Sequence, residues 1–235
     1  VFPTAQKRNC IAKTESFEKI PGSPVAYWVS EPMLRAFDSP LSSKWITPRI
    51  GLVTGDTDRF LRLWSEVSTD RVLYFCNDAE EAIASKQKWF PYQKGGSFRK
   101  WYGNNEYIVN WENDGWEMKN DNYSGSRVKS HNYNGNFAFK PAITWTKITS
   151  SVFSCRYVPA GYLFDDAGPI CTVSQQNIMQ MLALLNSIVG ARYLSLLSPT
   201  MNFLPGDINA IPVPRSVIGN ENAKNLSQNC VTLSH

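Results

Sequence analysis

Apolar residues fall at helical spacing most clearly near the end of the chain. Ile178, Met181, Leu182, Leu185, Val189 and Tyr193 share one stripe, and Ser174 stands before them as a cap. The spacing predicts one long helix to about Leu197. Gln180, Asn186, Ser187, Arg192 and Ser195 interrupt the run. It therefore reads as an amphipathic core helix, not a membrane span.

Elsewhere the pattern breaks into short pieces. Residues 50–54 read as a strand ending in Gly55, with Asp56 capping a helix over 57–65. Residues 71–76 read as a strand, and 78–87 as a short helix with its acids at the N-terminus, where the dipole favours them. Alternation predicts strands at 89–92 and 106–111. The Asn/Gly/Ser-rich stretch 113–136 reads as a long loop. A strand follows at 142–148. Runs 153–157 and 162–164 suggest a hairpin across Pro159-Ala160-Gly161. Gly206-Asp207-Ile208 reads as a helical turn and Ile211-Pro212-Val213-Pro214 as a closing edge.

These elements divide the chain into a connecting arm over 1–44, a compact domain over 45–215 and a polar, frayed tail over 216–235. Pro21-Gly22-Ser23-Pro24 forbids regular structure within the arm. The chain opens on Val1, which reads as a fragment or a processed piece, and its start lacks the apolar core of a signal peptide.

Composition narrows the function classes. Apolar residues make up 43% and charged residues 19%, ordinary for a soluble globular chain. The 13% aromatic share, with 8 Trp, is high, and such enrichment accompanies recognition surfaces. An odd set of 5 Cys without close pairs points to a reducing compartment, here the cytoplasm. With 2 His and no CxxC, a zinc site is not expected.

A net charge of +4 identifies no partner by itself, and its distribution says more. Between 86 and 105 stand Lys86, Lys88, Lys94, Arg99 and Lys100, and no acid. Cations alternate there with planar rings, as a phosphate backbone requires. Lys88, Lys94, Arg99 and Lys100 are candidate phosphate contacts. Asn104 and Asn105 carry the amide geometry that pairs with adenine edges. Thr54 and Gly55, before a helix start, are a second candidate phosphate contact, although Asp56 and Asp58 oppose it. Arg127 and Lys129 stand in the polar loop as a third. The bland alternative places Trp89, Phe90 and Trp101 in the core and leaves the lysines in water.

Catalytic signals are missing. The sequence has no Gly-rich cofactor turn followed by an Asn/Asp-Pro-Pro-aromatic run, no Gly-x-Ser-x-Gly elbow and no phosphate-cradling loop. Glu117-Met118-Lys119 matches the Glu-x-Lys triplet of metal-dependent nucleases, but no strand-borne Asp accompanies it. No catalytic residue, cofactor or metal is therefore assigned.

Four stretches together resemble a known family: GLVTGDTDRFLRLW, KWFPYQKGGSFRKWYGNNEYIVNWENDG, AITWTKI with FSCRYVPAGYLFD, and SPTMNFLPGDINAIPVP. In order, over about Ile20 to Pro214, they are similar to the C-terminal target-recognition region of the BREX phage-defence adenine-specific DNA methyltransferases. More distantly, Thr54-Gly55 and Gly206-Asp207 resemble the start and end signatures of type IIG and type I specificity domains. The resemblance implies a mixed α/β domain with a curved sheet and flanking helices, closed by a long C-terminal helix. It implies sequence-specific binding of double-stranded DNA beside an N-terminal methyltransferase domain. That domain would use S-adenosylmethionine to methylate adenine N6, marking host DNA in a restriction-modification-like antiviral defence. Other BREX subunits or an acidic phage DNA mimic are further implied partners. A protein-docking platform without base readout is the alternative.

Overall fold

The computed structural model describes residues 18–24, 28–123 and 127–235. The fold is mixed α/β. One sheet has the order β1-β10-β7-β8, formed by Ile46–Arg49, Ile170–Val173, Ala142–Trp145 and Cys155–Val158, all antiparallel. A second has the order β3-β5-β4-β9, formed by Leu61–Leu63, Tyr107–Asn110, Trp89–Gln93 and Leu163–Phe164, with β4 and β9 parallel. A short pair, β2 (Leu52–Val53) with β6 (His131–Asn132), lies apart.

All four residues of β7 are buried, because both faces of its sheet are covered. Ile143 and Trp145 pack with Cys155, Cys171 and the helices α5 (Ile178–Asn186) and α6 (Ile188–Leu197). Ala142, together with Ile170 of β10, joins the second core, built on Phe60, Phe90, Val109 and Leu163. The first sheet is thus the wall between two cores. The described part of the arm adds Ile20, Leu34 and Phe37 to the first core, and the Phe37 ring meets Tyr193 edge-on at 5.8 Å.

Several sequence expectations need correction. The long helix is two helices bent by 71°, because Ser187 leaves helical geometry and its hydroxyl accepts from the Gly190 N–H as an internal cap. The first of them is preceded by Asn177, not Ser174. The tail is not frayed: Asn220 caps α8 (Glu221–Ser234), the longest helix among the described residues, and α8 packs on α5.

Asp56 does cap a helix, α2 (Thr57–Phe60), but Leu61 turns extended to pair with Val109. The 71–76 stretch forms only a bridge from Val72 to Trp89. No hairpin joins 153–157 to 162–164, since β8 and β9 belong to different sheets. Of the 50–54 strand only Leu52–Val53 (β2) is extended; β1 ends at Arg49, before Gly51, whose missing Cβ would stand 2.0 Å from the Phe164 carbonyl oxygen.

The 113–136 stretch carries a helical segment, α4 (Glu112–Lys119). Its start is left-handed, with φ of 50°, 58° and 69° at Asn113, Asp114 and Gly115. Three short helices complete the described set: α1 (Glu31–Ala36), α3 (Ala79–Ala84, capped by Asp78) and α7 (Pro205–Asn209). Among the described residues no single helix is long and apolar enough to cross a membrane.

Candidate nucleic-acid interface

The acid-poor run falls on β4 and on the connection 94–106 that leads to β5. The connection is tightly shaped. Gly95 has φ 81°, and a Cβ there would stand 2.7 Å from the Ala167 carbonyl, so the backbone presses onto the turn before β10. Asn104 is buried in left-handed geometry, and its Nδ2 donates to the Ser97 carbonyl at 2.9 Å. The Trp101 N–H donates to the Cys155 carbonyl at 3.0 Å, and the Tyr157 N–H returns a bond to the Trp101 carbonyl at 2.8 Å. The connection thereby docks along the outer edge of β8.

This frame sorts the candidate residues. Arg99 is exposed and lies over Gly103, while Phe98 beside it is 47% exposed. Lys94 is half-buried, its Nζ 5.2 Å from the Tyr107 ring centroid, on the wall of an open cavity of about 450 Å³ with Thr57, Asp58, Arg62 and Glu66. Lys100 turns inward, and its Nζ donates to the Asn186 carbonyl at 2.9 Å. Asn105 accepts from Gln93 Nε2 at 2.6 Å. Lys88, at the far end of β4, lies 6.0 Å from the Trp89 ring centroid. Among the described residues, no carboxylate ion-pairs with Lys88, Lys94, Arg99 or Lys100.

The other candidates form a second group. Thr54 is buried, and Gly55, at φ 76°, sits so close to Lys129 that a Cβ would meet its backbone at 2.7 Å. Lys129 Nζ is 3.2 Å from Asp121, and Arg59 pairs with both Asp121 and Glu117. Arg127 is exposed. Glu117 is held below the usual carboxylate range chiefly by the Arg59 hydrogen bond, and Lys119 pairs with Asp114 at 2.6 Å, so the triplet's charges face different partners. Near Lys94, burial pushes the Asp165 carboxyl up, although the Ala167 N–H and the Tyr92 hydroxyl both donate to it.

Sequence reasoning missed three features. Arg62 lies 5.8 Å from the Trp89 ring centroid and shares the Lys94 cavity; only the folded sheet brings them together. Tyr74, Phe75, Tyr102, Tyr157, Tyr162 and His235 line an aromatic cavity of about 340 Å³, assembled from separate segments. Arg156 is buried inside β8, where its apolar neighbours masked it.

At Gly95, Gly96 and Gly115 a Cβ would meet the Ala167 carbonyl, the Asn104 amide and the Trp111 ring, so the chain packs closely at each.

No family model matches the chain. The chain is homologous to one segment of the adenine-specific methyltransferases. It is 41% identical over 207 residues, 86% of its length, to the adenine-specific methyltransferase PglX of Lacticaseibacillus casei (strain Zhang). It is 36% identical over 234 residues, 97% of its length, to the adenine-specific methyltransferase BrxX of Escherichia coli O9:H4 (strain HS). The matched region is 17% of PglX and 18% of BrxX, so the chain spans less than a fifth of the curated relatives it matches.

Proposed function

We propose that this chain is the target-recognition part of a BREX-type adenine-specific DNA methyltransferase acting in the cytoplasm. It holds duplex DNA through the 94–106 connection while a methyltransferase domain of the longer protein performs the transfer. Neither cofactor turn nor amine-clamping loop is present in this sequence, so S-adenosylmethionine belongs to that other domain.

The observation that carries the reading is the free positive charge of the connection. Among the described residues Lys94 and Arg99 make no ion pair, Phe98 stands exposed beside them, and the connection is anchored at Trp101. Unpaired cations on an anchored connection supply phosphate contacts.

The test is binding of a fluorescent random-sequence duplex by the whole chain between about 50 and about 200 mM salt. The parent loses affinity steeply. A Lys94→Glu, Arg99→Glu variant binds at least about 10-fold more weakly at the lower salt. Salt-independent binding, or an unchanged double variant, refutes the assignment.

A different face supports the seat of the methyltransferase domain. Exposed Val152 rims an apolar groove lined by Phe153, Leu194 and Phe203.

A further inference from the structure

Arg156 is the one charged side chain among the described residues that is buried at 0% exposure. It sits on β8 opposite Thr144, on the face away from Cys155 and the helices. Among the described residues its Nε and Nη1 have no hydrogen-bond partner, and the polar contact its Nη2 makes is a long 3.5 Å approach to Thr146 Oγ1. The Glu106 carboxylate lies near enough to favour the charge without pairing with it, and Arg99 opposes it. Burial lowers its pKa to about 10, so it still carries its proton at neutral pH.

An uncompensated buried guanidinium destabilises a fold, and an apolar residue of similar volume would not. What covers it is the DNA-facing connection itself. Thr146 Oγ1 donates to the Gly96 carbonyl at 3.0 Å, and Trp101 bridges to Arg156 through the backbone. Between those anchors, residues 96–99 are exposed. A second buried atom at the root of the connection, Gln93 Oε1, also has no partner. This arrangement therefore leaves polar groups at the connection unmatched, which marks it as incomplete.

We propose that Arg156 is a DNA-phosphate contact held beneath the connection: when residues 96–99 lift against a duplex, a phosphodiester oxygen takes the empty donors of its guanidinium. The inference rests on the DNA-binding reading above and adds a residue that no surface inspection would select. It also explains why a destabilising charge occupies a strand interior. Function keeps groups that stability alone would discard.

The experiment compares the whole chain with its Arg156→Met and Arg156→Lys variants, measuring the thermal midpoint without DNA and affinity for the same random-sequence duplex across salt. Arg156→Met is expected to melt no lower than the parent, to bind about 10-fold more weakly at low salt, and to flatten the logarithmic salt slope by about 0.9, the loss of one phosphate contact. Arg156→Lys restores the slope. An unchanged slope in Arg156→Met overturns the proposal, as does a lower midpoint with unaltered binding, which makes Arg156 a packing residue. If the parent itself shows no salt-dependent binding, the DNA-binding reading falls first. That result is distinct from a parent that binds and a variant that binds identically.

Discussion

Asn186 carries the sharpest stability prediction, because one side chain fixes three elements. It ends α5 at the break before α6 and is 4% exposed. Its Oδ1 accepts from the Cys155 N–H at 3.0 Å and its Nδ2 donates to the Cys155 carbonyl at 2.9 Å, so the amide completes the β8 edge. Its own carbonyl holds Lys100. Asn186→Leu keeps the branched outline and removes both side-chain bonds. Each is worth about 1 kcal/mol net, and the orphaned Cys155 N–H adds a further penalty of about 1 kcal/mol or more. The expected loss is about 3 kcal/mol. At about 2–4 °C per kcal/mol for a chain of this size, the melting midpoint should fall by about 6–12 °C. Thermal and urea unfolding measure it. Limited proteolysis should also cut the 94–106 connection faster, since Trp101 hangs on the same Cys155 carbonyl. A loss under about 1 kcal/mol would refute the claim that this amide is a structural clasp.

Three other outcomes are expected. Gly161→Ala should destabilise by at least about 2 kcal/mol in urea titration, since φ is 98° and the new methyl would meet the Tyr74 carbonyl at 2.5 Å. In a Cys10→Ser background, Cys230 should react with a thiol reagent at neutral pH while the folded protein protects the rest. Burial raises Cys76 to about 11 and Cys171 to about 12, and pushes Cys155 well above its ordinary value. Asp165, raised by burial, binds its proton more tightly in the folded than in the unfolded state. Its contribution is therefore greatest below the ordinary carboxylate range and is lost as pH rises through the elevated value. Asp165→Asn should remove that fall from the pH profile of the urea midpoint, and an unchanged profile would contradict it.

Much of the fold was legible where one residue decides the local structure. Asp78 caps α3, the alternation at 89–92 and 106–111 marks β4 and β5, and Gly206-Asp207-Ile208 lies in α7. The failures are tertiary. The stripe from Ile178 to Tyr193 continues through Ser187, so periodicity alone cannot place a break that the Asn186–Cys155 bonds stabilise. Val72 and Leu163 sit in runs that look alike, yet Leu163 finds a strand beside Tyr92 while Val72 makes one bridge. The polar tail conceals a helix because its buried face is thin, with Ser227 and Val231 against the body. At the candidate site, charge clustering located the connection but could not say which cations are spent internally. Lys100 and Lys129 are engaged by Asn186 and Asp121, facts that depend on residues 86 and 8 positions away.

The two cationic groups are not equivalent as seats for a polyanion. Around Gly55, the charges of Arg59 and Lys129 are met by Glu117 and Asp121, with Asp56 capping the helix alongside. A phosphate approaching there must break the Arg59 and Lys129 pairs, of which those to Asp121 are part-buried, and then face the released carboxylates. Along 94–106, Lys94 and Arg99 make no ion pair among the described residues, Lys100 is held by the Asn186 carbonyl, and Arg156 adds a buried charge. An anion reaching Arg99 there breaks no ion pair among the described residues, although Asp58 and Glu66 share the cavity of Lys94. The field therefore favours the connection as the first point of contact, with the Gly55–Lys129 group reached only by a ligand large enough to span both.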